Sequence, residues 1–159
     1  MIWSLLVFAG LNFAAALSGA IFKPDDWFRR LNKPSWQPPD WAFPIVWMVL
    51  YGINAFSGWV VWKLAGLDGI GLLAMAIYGA ALVLNASWSA VFFGLKRLGA
   101  ASANSALLWL SIAAQIAVFY QIDALAGLIL LPYLLWVTVA TVLSTTVWRH
   151  NPASPMEAA

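Results

Sequence analysis

The chain has 159 residues, 64% of them hydrophobic and 9% charged, with a net charge of +2. That balance excludes an ordinary soluble domain and a disordered chain. The absence of cysteine excludes a disulfide framework and a thiolate metal site, and the basic residues form no stripe that could follow phosphates, so no nucleic-acid partner is expected.

Five apolar stretches follow one another along the chain, at residues 2–22, 44–62, 69–93, 103–122 and 126–148, none with a charge inside its core. A helix needs roughly 20 apolar residues to cross ~30 Å of hydrocarbon, and each stretch can do so. The expected fold class is an all-α membrane protein, a single five-helix transmembrane domain over residues 1–159 with no separate soluble domain. The first stretch lacks a basic n-region and is too long for a signal-peptide core, so it reads as a retained span. Lys23, Arg29, Arg30, Lys33, Lys96, Arg97 and Arg149 share one side of the five spans, and Lys63 stands alone on the other. By the positive-inside rule the N-terminus lies outside and the C-terminus in the cytoplasm.

Pro24 closes the first span, because proline cannot continue a helix interior. Residues 23–43, KPDDWFRRLNKPSWQPPDWAF, form the longest connection and read as a lid loop. Pro34, Pro38 and Pro39 favour extended backbone, while Trp27, Trp36 and Trp41 can anchor the loop at headgroup level. Pro44 starts the second span at a position that tolerates proline. Gly66, Asp68 and Gly69 mark a tight turn, Gly94 ends the third span, and Asp123 marks the turn before the fifth. Pro132 lies inside the fifth span. It removes the amide that would bond the Leu128 carbonyl, and a kink is expected there. No inverted repeat is visible, and an odd number of spans argues against a two-fold inverted transporter.

Unusual residues converge on the cytoplasmic half. Of eleven tryptophans, Trp3, Trp59, Trp62 and Trp148 fit an interfacial belt. Trp136 does not: ten positions into its span it lies ~15 Å deep, where its indole N–H needs a partner and the ring is expected to face the bundle interior. Asn85, Trp88 and Phe92 share one face of the third span. Trp47, Tyr51 and Asn54 lie along one face of the second, and the fourth begins with Asn104 and Trp109. Asparagines within spans usually bond a neighbouring helix, so Asn85 alone fits a structural role as well as a ligand role. Aromatic walls, a few amides and a long loop on one side are the anatomy of an apolar pocket with sparse polar anchors. Small residues at Ala140, Ala15/Gly19 and Ala76/Ala80 suit close helix packing, and one such face is expected to form a homodimer.

Charged groups are missing from every span core, whereas ion-coupled transporters and proton pumps carry them along their path. The only histidine, His150, follows the last span and cannot reach a buried haem iron. No acid–base pair or Ser–His arrangement can be assembled in the membrane core. A bound ligand should be flat, apolar and held by stacking, with no metal and no resident cofactor.

The block Leu31-Asn-Lys-Pro-Ser-Trp-Gln-Pro-Pro39, followed by Phe43-Pro-Ile-Val-Trp47 and Leu50-Tyr51, resembles the signature of the tryptophan-rich sensory protein family, which includes the mitochondrial translocator proteins or peripheral benzodiazepine receptors. Leu84-Asn-Ala-Ser-Trp88, Phe92-Phe-Gly94, Pro132-Tyr-Leu-Leu-Trp136, Ala140-Thr141 and Val147-Trp-Arg149 with Asn151 extend the resemblance over nearly the whole chain. The resemblance implies five helices, a dimer, and a pocket for porphyrins such as protoporphyrin IX and for benzodiazepine-type ligands. By position, Trp36, Trp47, Asn85 and Trp136 would line that pocket, with Tyr51, Trp88 and Ala140 beside them. It also implies light- or oxygen-dependent breakdown of protoporphyrin as an alternative activity, with Trp47 and Trp136 as redox-active, catalytic rings. The last span lacks the tyrosine of the sterol motif found in animal members, which weighs against sterol recognition and favours a bacterial-type protein of the cell membrane.

The leading expectation is therefore a membrane protein that binds tetrapyrroles as sensor, scavenger or carrier. An enzyme that photo-oxidises porphyrin, a passive translocator of small apolar molecules and a purely structural partner-binding protein are the alternatives.

Overall fold

A computed structural model describes residues 2–152, and the described residues form helices and connections without strands. The helices are α1 (Ile2–Ile21), α2 (Asp26–Arg30), α3 (Ala42–Ala65), α4 (Ile70–Ser89, continued by a π-helical turn over Ala90–Gly94), α5 (Leu98–Ile122), α6 (Ala124–Leu128) and α7 (Leu131–His150). Among the described residues, five spans are long and apolar enough to cross a membrane: Trp3–Ile21, Ala42–Ala65, Ile70–Gly94, Leu98–Ile122 and Ala124–His150. The chain is a multi-pass membrane protein.

In lipid each span must satisfy its own backbone, and what remains to be chosen is which faces meet. Helix α1 packs against α3 and α4, α4 against α5, and α5 against α7, while α3 and α7 meet only along a thin seam. The seam joins the two ends of the row and is the least tightly closed side of the bundle.

A polar chain crosses the buried centre. Gln115 Nε2 donates to Asn54 Oδ1 at 2.9 Å, Asn54 Nδ2 donates to Asn12 Oδ1 at 2.9 Å, and Asn12 Nδ2 donates to the Phe8 carbonyl at 2.9 Å and to the Tyr78 hydroxyl. Four helices, α5, α3, α1 and α4, are thereby tied by side chains that are all buried. Interhelical amide bonds of this kind hold membrane bundles where the hydrophobic effect does not distinguish helix from lipid. The Tyr78 ring is set by its neighbours, edge-on to Phe8 at 5.4 Å and stacked on Phe119 at 6.4 Å. Gly58 makes room for it, since a Cβ there would come within 2.5 Å of the ring.

At Pro132 the fifth span breaks instead of bending. Helix α6 is capped by Asp123, whose carboxylate accepts the Ala126 N–H at 2.7 Å, and is pinned to α3 by Ser57 Oγ, which donates to the Ala126 carbonyl at 2.7 Å. After a two-residue turn, α7 starts at Leu131 with Pro132 in its first turn, where the missing N–H removes no helical bond. The kink expected within one helix is therefore a junction between two.

Candidate functional site

Two aromatic groups occupy the end of the bundle that carries the long loop. The first is built by α3, α4 and α7. Successive turns of α3 present Phe43, Trp47 and Tyr51, a spacing of four that keeps them on one face. Trp47 lies 5.8 Å from Tyr51 and stands edge-on to Tyr133 of α7 at 6.1 Å. Tyr133 is 1% exposed, and its hydroxyl accepts a hydrogen bond from Asn85 Nδ2 of α4. Trp136, three residues further along α7, places its ring edge-on to Phe43 at 5.6 Å. Its Nε1–H is buried and meets no acceptor.

Beside this group the α3–α7 seam opens into a groove of about 460 Å³, lined by Val46, Val49 and Ile53 of α3 and by Pro132, Trp136 and Val139 of α7 among others, with no polar atom in its walls. That volume lies within the ~300–1,000 Å³ of ordinary small-molecule sites. The break at Pro132 helps to form it, because the proline begins α7 at the groove wall.

The second group joins the loop to the bundle. Trp88 stacks on Phe92 at 4.8 Å, and Phe28 of α2 stands edge-on to Phe92 and Phe93 at 5.9 and 5.3 Å. Trp27 approaches Phe92 at 6.2 Å. The π-helical turn supports this cluster by carrying Phe92 and Phe93 on its one wide turn, and turns of this type are frequent at functional sites. Cations flank the rings: Lys33 Nζ lies 4.2 Å from the Phe28 centroid and Lys96 Nζ 5.4 Å from that of Trp27. Lys96 also pairs with Asp25 at 2.8 Å. The Lys96 ammonium, together with the Phe28 N–H, holds the Asp25 carboxyl below its ordinary value of 3.8. Because the folded value is the lower one, the stabilisation from Asp25 is present above the ordinary carboxylate range and is lost as pH falls through the folded value. Asp25 is solvent-exposed, so this contribution is small.

The structure thus brings Trp47, Tyr51 and Asn85 around Tyr133, and sets Trp136 on the adjoining seam with half-buried Ala140 one turn beyond. Trp88 belongs to the second cluster, with its own Nε1–H buried and unpaired. Trp36 lies in the loop, 48% exposed. Asn104 is structural: its Nδ2 donates to the Leu84 carbonyl at 2.9 Å, and its Oδ1 accepts from Ser87 at 3.3 Å. Trp109 is held by Thr138 at 2.7 Å. Tyr133 and Phe43 are central to the first group although neither stood out as a candidate. The signal for Tyr133 was available, since a tyrosine hydroxyl within an apolar span needs a partner and Asn85 is an amide in need of one.

Comparison with known proteins bears on this arrangement. Residues 2–149 match the model of the TspO/MBR family. The chain is 42% identical over 152 residues to the tryptophan-rich sensory protein of Cereibacter sphaeroides, covering 95% of this chain and 94% of the relative. It is 41% identical to protein CrtK of Rhodobacter capsulatus, covering 94% and 95%. The human translocator protein is 36% identical over 126 residues, covering 79% of this chain and 75% of its own length.

Proposed function

The chain belongs to the TspO/MBR family, and from that membership we propose that it binds a flat apolar ligand of the tetrapyrrole class, as sensor, scavenger or carrier. The ligand sits against Trp47 and Trp136 where α3 meets α7. One observation carries this reading: Trp136 presents its ring to an apolar groove while its indole N–H is buried without an acceptor. An unpaired buried donor costs about 1–3 kcal/mol. This one contributes no surface to the groove, so a ligand with a ring nitrogen or carbonyl at its edge offsets that cost when the indole turns to meet it. The charged residues of the spans, Lys63 and Arg149, lie in the last turns of their helices and away from the groove, so stacking and one or two neutral hydrogen bonds are the chemistry at hand. The basic residues at the loop end support a cytoplasmic placement of that end.

The test is a titration of the detergent-held protein with protoporphyrin IX, followed by quenching of tryptophan fluorescence. Saturable binding in the micromolar range is expected. Replacing Trp136 by Phe removes the N–H and part of the ring, and should weaken binding about tenfold. Trp3→Phe, at a position 77% exposed on α1, should leave it unchanged. Equal affinity of the Trp136→Phe variant and the unaltered protein would refute the assignment.

A further inference from the structure

The segment between α1 and α3 is not held uniformly. Its first part, Asp25 to Asn32, is fastened in three ways: by Trp27 and Phe28 against Phe92 and Phe93, by Asp25 on Lys96, and by Asn151 on Asn32. The third fastening uses both donors and the oxygen of one side-chain amide. Asn151 Oδ1 accepts the Asn32 N–H at 3.0 Å, and Asn151 Nδ2 donates to the Asn32 carbonyl at 3.0 Å and to the Val147 carbonyl at 2.7 Å. The amide therefore caps the end of α7 and, in the same act, pairs with the loop backbone as a neighbouring strand would. Only asparagine fits all three bonds. Aspartate lacks both donors, a hydroxyl has one, and glutamine is a methylene too long.

The second part, Pro34 to Trp41, is different. Among the described residues its hydrogen bonds are local, from Gln37 N to the Pro34 carbonyl at 3.1 Å, from Gln37 Nε2 to Asp40 at 3.2 Å, and from Ala42 N to the Pro39 carbonyl at 2.9 Å. Trp36 and Trp41 are 48% and 68% exposed. This part leads directly into Phe43 and Trp47 of the first aromatic group.

We propose that Asn151 is the positioning residue of this loop. Its pair of hydrogen bonds to Asn32 fixes residues 25–32 to the end of α7 and leaves residues 34–41, with Trp36, as the flap that moves when ligand reaches Trp47 and Trp136. The flap's role rests on the tetrapyrrole reading given above; the tether does not.

The two are tested separately. Lys23 and Lys33 each precede a proline, which blocks trypsin, so Arg29 and Arg30 offer the cleavable bonds of the loop. Cleavage that is slow relative to reclosing tracks the population of the opened segment. Asn151→Ala should be cut after Arg30 about tenfold faster than the unaltered protein, with helix content and melting midpoint unchanged. Asn32→Ala should be cut at the unaltered rate, because Asn151 uses only the backbone of Asn32. Equal cleavage of Asn151→Ala and the unaltered protein, or equal acceleration in Asn32→Ala, overturns the tether. In stopped-flow quenching by protoporphyrin IX, Asn151→Ala should bind and release the porphyrin at least threefold faster. Faster cleavage with unchanged porphyrin rates overturns the positioning role while the tether stands. Failure of the unaltered protein to bind porphyrin overturns the tetrapyrrole reading and the flap's role together, and cleavage alone then judges the tether.

Discussion

Replacing Gly127 by alanine should be among the most damaging single substitutions in this chain. A Cβ at position 127 would lie 2.7 Å from the backbone nitrogen of Tyr120 and 2.8 Å from its Cα and Cβ. Backbone of α5 cannot step aside as a side-chain tip can, so the strain falls at the upper end of what overpacking usually costs, about 3 kcal/mol. The consequence reaches the seam. Helix α6 fills the junction before α7, and its displacement would move Pro132 and the groove wall that depends on it. Thermal or SDS-induced unfolding of the Gly127→Ala protein should show the loss, accompanied by weakened porphyrin quenching. Wild-type stability in that variant would mean that α5 and α6 are further apart than described.

Asn54→Leu should be comparably severe for another reason. Asn54 is 1% exposed and is the middle link of the central polar chain. Without it, Gln115 Nε2 has no acceptor and Asn12 Oδ1 no donor, so two buried groups are orphaned at about 1–3 kcal/mol each. A loss of about 3 kcal/mol is expected in the same unfolding measurement. Adding Gln115→Leu removes one of the two orphans, so the double variant should be less destabilised than the sum of the single variants. Simple additivity would show that the links do not act as a chain.

Much of the fold could be read from the residues because hydrocarbon leaves a chain few options. Five uncharged runs had to become five spans. Details set by packing were less legible. Helix α5 begins at Leu98 and not at 103, because Leu98, Ala101 and Ser102 are buried against the bundle; as a sequence, Leu-Gly-Ala-Ala-Ser looks like a turn. Helix α2 is five residues long, too short for periodicity to reveal. The π-helical turn at Ala90–Gly94 left no trace in composition. In the candidate site, Trp136 and Asn85 stood out by their depth, and both are placed in the loop half, Asn85 on Tyr133 and Trp136 on the seam. Trp88 shares a helical face with Asn85 by spacing alone, but its ring turns to Phe92 and so to the loop. Face arithmetic cannot decide between two neighbours on the same side. The polar chain was not visible: spacing put Asn54 beside Trp47 and Tyr51, whereas its bonds run to Asn12 and Gln115, in spans where nothing local announced their partners.

The chemistry available at the seam is narrow, and that makes the functional account exposed to test. An apolar groove walled by Trp136, with the rings of Phe43, Trp47 and Tyr133 packed beside it and outside its wall, favours a planar apolar molecule over an ion or a charged metabolite. The decisive measurement is a structure of the protein with protoporphyrin IX bound. The account predicts the macrocycle lodged between α3 and α7, a face or edge against Trp47 and Trp136, and the Trp136 indole N–H donating to it. A porphyrin held on another face of the bundle, with Trp136 still unpaired and the seam filled by lipid, would contradict it.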